Sequence, residues 1–348
     1  MNADFQQAQS TIKALCAVFS DCADPRARDF VAAGISSTGG IPSVIVFAPR
    51  EEPTRQYIRD RLGESLAGVE IVTSGGLSQA GVADPAAGSR SAAWIGRPLA
   101  SLKAAGRSIR SWLRALAQPA PVSVHAGVQV DDGTVGCGLR EKQTGAAHFL
   151  TDLHVLRSKT RGATAVLQNG DHIARLKDWS RVASDPDWAV LAAIRNVLPS
   201  ACLNWEACAL TLQGPMTKGD LPLLGGQIIG MGGATSGERR RGVVTATGAC
   251  VVVAESTANG GCTRLMAMEQ ILVKNLAGQR PFGEQGDSGA VAYVLPPPPA
   301  LGANPAGTAV GLYWLRNPTG DLHALAPLVD VLDAIKRSPS MLDLELWR

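Results

Sequence analysis

From residue 122 onward the chain is a succession of short β-type runs cut by Gly, Pro, Asn and Asp. These are VSVHAGVQV (122–130), GTVGCGL (133–139), HFLTDLHVL (148–156), TAVLQ (164–168), WAVLAAI (188–194), ALTLQG (209–214), GQIIGM (226–231), GVVTATGACVVV (242–253), AVAYVL (290–295) and AVGLYWL (309–315). Short strands at such spacing specify a β-sandwich or barrel rather than alternating βαβ units. The 38 Gly and 21 Pro against 5% aromatics agree with a turn-rich β domain. The four prolines 296–299 cannot continue the strand before them and read as a surface loop. A helix closes the chain over 328–337, with Leu328, Val331, Leu332 and Ile335 on one face.

The first third reads differently. Phe5, Ile12, Leu15, Cys16 and Phe19 share a helical face, and residues 42–48 form a β-rich run. A helix is expected over 54–66, with Thr54 as its cap, followed by a strand over 69–73. Together they predict a small βαβ-like layer. Residues 74–93 read as a loop, and 108–117 as a helix with a solvated basic face formed by Arg107, Arg110 and Arg114. Pro119 and Pro121 mark the boundary, so the expected division is an α/β region over 1–118 and a β domain over 119–348.

Charge narrows the partners. Lys and Arg number 33 against 30 Asp and Glu, a net +3 that argues against nucleic acid or an anionic membrane as the main partner. The start of the chain has no basic stretch followed by an apolar run, so no signal peptide is expected. Seven cysteines without a CxxC pair or metal-ligand spacing suggest reduced thiols in a cytoplasm, with no metal and no cofactor.

One tetrapeptide carries chemistry. Gly286-Asp287-Ser288-Gly289 lies between a polar loop and an apolar strand. A serine hydroxyl attacks a carbonyl only when a base takes its proton, and the oxyanion that forms needs N–H donors aimed into one small space. Glycine before the serine permits the tight backbone that aims them. The donors are assigned to the N–H groups of Gly286 and Ser288.

His154 ends an apolar strand and is followed by Val155 and Leu156, which suits an imidazole facing a cleft. His148 precedes that strand and is the weaker alternative. The orienting acid is expected at the start of an apolar strand, where Asp187 precedes Trp188-Ala-Val-Leu191. Asp185, Asp178 and Asp171 are the alternatives. The chain order His, Asp, Ser is that of the double-barrel proteases, and there is no GxSxG elbow of the α/β-hydrolases.

With these residues in place the chain resembles trypsin-like serine peptidases. FLTDLHVL is similar to the LTNxHVV segment of the HtrA-like branch and DPDWAVL to its DxAVL segment, with Asp152 where Asn is usual and Trp188 where a smaller residue is usual. The layout also resembles intracellular trypsin-like peptidases of the plant narrow-leaf type and their bacterial relatives. It matches at Pro121-Val122 with Gly127, at Gly133-Thr134-Val135-Gly136 and at the turn Gly233-Ala-Thr-Ser-Gly237. No PDZ domain of the HtrA-like branch is expected after the terminal helix.

The resemblance implies a mainly β chain of two six-stranded antiparallel barrels, with the α/β region before them and a helix after. It implies a serine endopeptidase acting on protein or peptide substrates, with a catalytically silent binding module as the alternative. It also implies that the strand 309–315 pairs with an extended substrate, that Leu315 lies near the specificity pocket and that Phe282 forms an apolar pocket floor. The N-terminal region is read as a regulator, an inhibitor segment or a dock for a partner protein. Arg239 to Arg241 read as a solvated hairpin tip.

Overall fold

In a computed structural model the residues described are 3–20, 24–37, 42–67, 69–74, 78–79, 122–167, 170–181, 186–203, 210–237, 239–258, 261–294 and 305–347. The basic helix, the prolines at 119 and 121, most of the 74–93 loop, the four-proline run and Asp185 lie outside them.

The chain opens with α1 (Ala3–Ser20), β1 (Ala32–Ser36), β2 (Ser43–Ala48), α2 (Glu51–Leu62), α3 (Glu64–Ala67), β3 (Glu70–Thr73) and β4 (Ser78–Gln79). Helix α1 buries the expected face of Phe5, Ile12, Leu15, Cys16 and Phe19. The pair β2 and β3 is parallel and is joined through α2 and α3, as the βαβ reading requires. Thr54 does not cap. Helix α2 begins three residues earlier, and Thr54 lies buried inside it with its hydroxyl donating 2.8 Å to the Arg50 carbonyl. Glu51 and Glu52 instead favour the helix start through its dipole.

Then follow β5 (Val122–Ala126), β6 (Gln129–Val130), β7 (Gly133–Thr134), β8 (Cys137–Glu141), β9 (Ala147–Thr151), β10 (Thr164–Val166), β11 (His172–Trp179), β12 (Ala189–Ala193), β13 (Val197–Leu203) and β14 (Leu210–Gln213). The last group is β15 (Ile228–Met231), β16 (Arg240–Ala258), β17 (Gly261–Asn275), β18 (Val291–Val294), β19 (Ala306–Arg316), β20 (Leu322–Pro327), α4 (Leu328–Arg337) and β21 (Leu344–Leu346).

Strand pairing folds these runs into two barrels. The first is the sheet β10-β11-β12-β9-β8-β21. The β6–β7 ribbon closes it, bridging Val130 to Leu167 on one side and carrying Gly136 N–H to the Leu150 carbonyl on the other. Its interior holds Val130, Val135, Phe149, Ile173, Leu176 and Leu191. In the second, β15 pairs with β16, β16 with β17, β17 with β20, β20 with β19, β19 with β18 and β18 again with β15, which closes a ring. Ile229, Val244, Ile271, Phe282, Tyr313 and Leu325 fill it. Helix α4 packs Leu328, Val331 and Ile335 into the larger core, as its spacing predicts.

The α/β region is continuous with the second barrel. Strands β16 and β17 run 19 and 15 residues, long enough to leave the barrel. Gly248, at φ +56°, lies among register shifts where β16 changes neighbours. Near it, β1 pairs antiparallel to β16 through Ala32–Val251, Ala33–Cys250 and Ile35–Thr247. Helix α1 covers this extension, and Cys16 forms a disulfide with Cys250. This pair corrects the expectation of reduced thiols throughout. Spacing along the chain could not foresee it, because the two cysteines meet only when α1 lies on β16. Cys137 is free and buried, and burial pushes its thiol pKa up to about 12.

The basic triplet is corrected at its middle residue, while Arg239 and Arg241 are exposed as expected. Arg240 is buried, and its guanidinium pairs with Glu284 at 3.2 Å in the loop before the nucleophile. No described helix is long and apolar enough to cross a membrane.

Candidate active site

The Ser288 loop is held from beneath by Asp287. Its Oδ1 accepts the N–H groups of Thr235 and Ser236, each at 2.9 Å, and its Oδ2 accepts that of Glu284 at 2.8 Å. Burial raises its pKa, while the N–H groups of Ser236, Glu284 and Thr235 pull the other way. The 233–237 turn is therefore a cradle for the nucleophile loop, a role its Gly, Thr and Ser pattern alone did not reveal. Gly286 and Gly289 adopt φ of +93° and +91°, a region that L side chains avoid. Among the described residues, no protein acceptor takes the N–H of Gly286 or of Ser288.

The first barrel grips the same loop from the other side. Thr134 N–H donates to the Ser288 carbonyl at 2.8 Å, and Thr134 Oγ1 donates to the Gly286 carbonyl at 2.9 Å. The same Oγ1 accepts Ala234 N–H at 2.9 Å. Gly136 has no room for a side chain, since a Cβ there would lie 2.2 Å from the Gly289 carbonyl oxygen. Thr134 thus ties the two barrels to the loop, although the sequence marked it only as part of a GTVG strand.

His154 and Asp187 meet at the end of the first barrel. Strands β9 and β12 are antiparallel neighbours with Thr151 opposite Ala189, so the residues just beyond them are close together. Asp187 Oδ2 bonds His154 Nδ1. Its two oxygens also accept the N–H groups of Leu153 at 3.1 Å and His154 at 3.3 Å. The carboxylate therefore fixes both the ring and the backbone that bears it. This ring pairing leaves Nε2 as the nitrogen free for another partner.

Ser288 Oγ and His154 Nε2 are both closed to solvent, and neither has a hydrogen-bond partner among the described residues. Their loops nevertheless pack together. A Cβ on Gly133 would stand 2.5 Å from Val155 and 2.8 Å from the Ser288 carbonyl oxygen, and one on Gly289 would stand 3.1 Å from Asp152 N. The structure thus forms the His–Asp half of the expected constellation, with the serine loop against it and the Ser–His hydrogen bond unmade.

The alternative residues sit elsewhere. His148 is buried within β9, where burial lowers its pKa, and Asp178 bonds Ser338 and Ser340 near α4. Asp171 stands in the exposed turn before β11.

In sequence, Asp152 stands where the HtrA-like segment usually has Asn. It is fully buried beside the pair, 3.9 Å from His154 Nδ1. Burial first, and then the neighbouring Asp187 carboxylate, raise its pKa well above the ordinary value.

Phe282 and Leu315 are both completely buried. Phe282 packs edge-on to Tyr313 and His323 inside the second barrel. The backbone of Leu315 pairs with Ala324 of β20 and with Gln79 of β4. Among the described residues no cluster of His, Cys, Asp and Glu is arranged to hold a metal ion.

No protein-family model matches the chain, and no curated protein matches it. Among solved structures it is similar to a Nocardiopsis protease at 16% identity, over 65% of this chain and 100% of that one, with a TM-score of 0.44. It is similar to an α-lytic protease homolog at 18% identity, over 65% and 100%, with a TM-score of 0.44. A Cellulomonas bogoriensis chymotrypsin aligns at 18% identity, over 65% and 98%, with a TM-score of 0.40.

Proposed function

We propose that the chain is a serine endopeptidase that cuts protein substrates through an acyl-enzyme. The observation that carries this reading is Asp187 holding His154 Nδ1 while the Ser288 loop, with its two glycines in the left-handed region, packs against the same strand end. On this reading Nε2 of His154 takes the Ser288 proton as Oγ attacks the substrate carbonyl. Asp187 keeps the proton on Nδ1 and stabilises the imidazolium. The N–H groups of Gly286 and Ser288 receive the developing oxyanion. The imidazolium then gives its proton to the leaving amine, and water releases the acyl group by the same steps in reverse.

Incubation with a fluorophosphonate, followed by peptide mapping, tests this directly. Modification at Ser288, together with casein cleavage that Ser288→Ala abolishes, is the expected result. Casein cleavage at full rate by Ser288→Ala would end the reading.

The second reading, a silent binding module on a protease fold, draws on the unmade Ser288–His154 hydrogen bond. It predicts no labelling and no cleavage. For the N-terminal region we propose partner docking, since it forms a layer outside the second barrel.

A further inference from the structure

We infer that β4, the chain's own Ser78–Gln79, occupies the edge of β19 on which an extended peptide substrate docks, and that substrate must displace it. The inference rests on the endopeptidase reading and adds an internal competitor to it.

Strand β19 is paired along both of its edges. On one edge of β19, β20 pairs from Gly311–Pro327 to Arg316–His323. On the other, β18 pairs from Thr308–Val294 to Leu312–Val291. The next residue on the β18 edge is Tyr313. Its carbonyl accepts Gly289 N–H at 2.9 Å, and its own N–H donates to the Ala290 carbonyl at 2.9 Å. The nucleophile loop is therefore the continuation of β18 along that edge. Beyond it, Leu315 pairs with Gln79 and Arg316 with Ser78. Because β20 already holds Leu315 and Arg316 from the far side, β4 lies on the β18 edge, immediately past the Ser288 loop.

That stretch of edge is where an acyl donor has to lie. A peptide offering a carbonyl to Ser288 must lead its preceding residues past the loop, and an open strand edge supplies backbone hydrogen bonds to such a chain regardless of side chains. Polarity agrees. Strand β19 runs away from the nucleophile loop between Tyr313 and Arg316. The antiparallel β4 therefore runs toward it, with Ser78 the farther and Gln79 the nearer residue. A substrate attacked at its carbonyl approaches in the same sense.

Closure of the reacting atoms is a second, independent observation. Ser288 is 0% exposed, and neither its hydroxyl nor His154 Nε2 meets solvent. A two-residue strand makes few enough hydrogen bonds for a substrate to displace it. Its covalent attachment nevertheless gives it an effective concentration on the order of millimolar.

The test compares the full chain with a Ser78→Pro/Gln79→Pro variant, because proline lacks the N–H and is excluded from paired strands. A Ser78→Ala/Gln79→Ala variant keeps the backbone donors. With fluorescein-casein as probe, the proline pair should lower KM about fivefold, the effect of losing roughly 1 kcal/mol of competing contact. Its kcat should be unchanged, and the alanine pair should match the parent. Equal KM in all three proteins, with normal fluorophosphonate labelling of Ser288, overturns the inference and leaves the endopeptidase reading intact. If no protein labels or cleaves, it is the endopeptidase reading that fails. Amide exchange at Leu315 and Arg316 then decides the docking separately. Faster exchange in the proline pair supports it, and equal exchange overturns it.

Discussion

Asp287 fills the space that a side chain on Gly233 would need. A Cβ at Gly233 would stand 2.2 Å from Asp287 Oδ1, against an ordinary contact of about 3.5–4.0 Å. The second residue of the GDSG tetrapeptide is thus a buried strut, and Asp287→Ala would strand three N–H groups that now point at its carboxylate. Unsatisfied buried donors cost about 1–3 kcal/mol each when they cannot relax to water. We expect Asp287→Ala to lower unfolding stability by about 3 kcal/mol, read as a shift in the urea midpoint at constant slope.

Asp187→Asn should reduce kcat by about four orders of magnitude on a protein substrate, because an amide in that place favours the wrong imidazole tautomer. Asp187 also accepts two backbone N–H groups, so the variant should lose stability as well. Ser288 has no hydrogen bond through its hydroxyl, so Ser288→Ala should keep the parent's thermal midpoint while activity is lost. Equal activity losses with equal loss of fold in both variants would count against the assigned roles.

Asp152 predicts a pH dependence of stability. Its folded pKa is raised, chiefly by burial, so above the ordinary carboxylate value near 3.8 the unfolded chain releases a proton that the folded chain keeps. Stability must then fall as pH rises through that window. Asp152→Asn supplies a neutral amide of the same shape and should remove this slope, gaining about 1–3 kcal/mol at neutral pH. Denaturant midpoints at pH 4, 6 and 8 measure it, and parallel curves for the two proteins would contradict it.

His323 acts in the opposite sense. It is buried between β17 and β19, its Nε2 donating 2.9 Å to Asn275 Oδ1 and its Nδ1 lying 3.4 Å from the Tyr313 hydroxyl. Burial lowers its pKa from 6.5 to about 4. Between those values the unfolded chain takes up a proton and the folded chain does not, so stability falls as pH drops from 6.5 toward 4. The loss is on the order of 3 kcal/mol. His323→Gln should flatten that acid limb in a thermal melt series.

Much of this was legible beforehand. The short β runs specified an all-β domain, sandwich or barrel, and only the resemblance carried by the GDSG and histidine segments chose two barrels. Ser288, His154 and Asp187 could be proposed as candidates because each stands next to a strand end, where local pattern is informative. Asp152, Thr134 and the Asp287 strut were missed for one reason: each depends on contacts between segments far apart in the chain. The Cys16–Cys250 disulfide and the burial of Arg240 belong to the same class. Thr54 failed as a cap because the two glutamates ahead of it start the helix first.

The shared β16–β17 hairpin makes excision unworkable. A shortened chain beginning at residue 119 would keep every candidate catalytic group, yet β16 would lose β1 along Thr247 to Val251. An apolar strand left with bare amides invites neighbours to stack on it. Such a fragment should precipitate or form fibrils rather than report on the activity of the intact molecule.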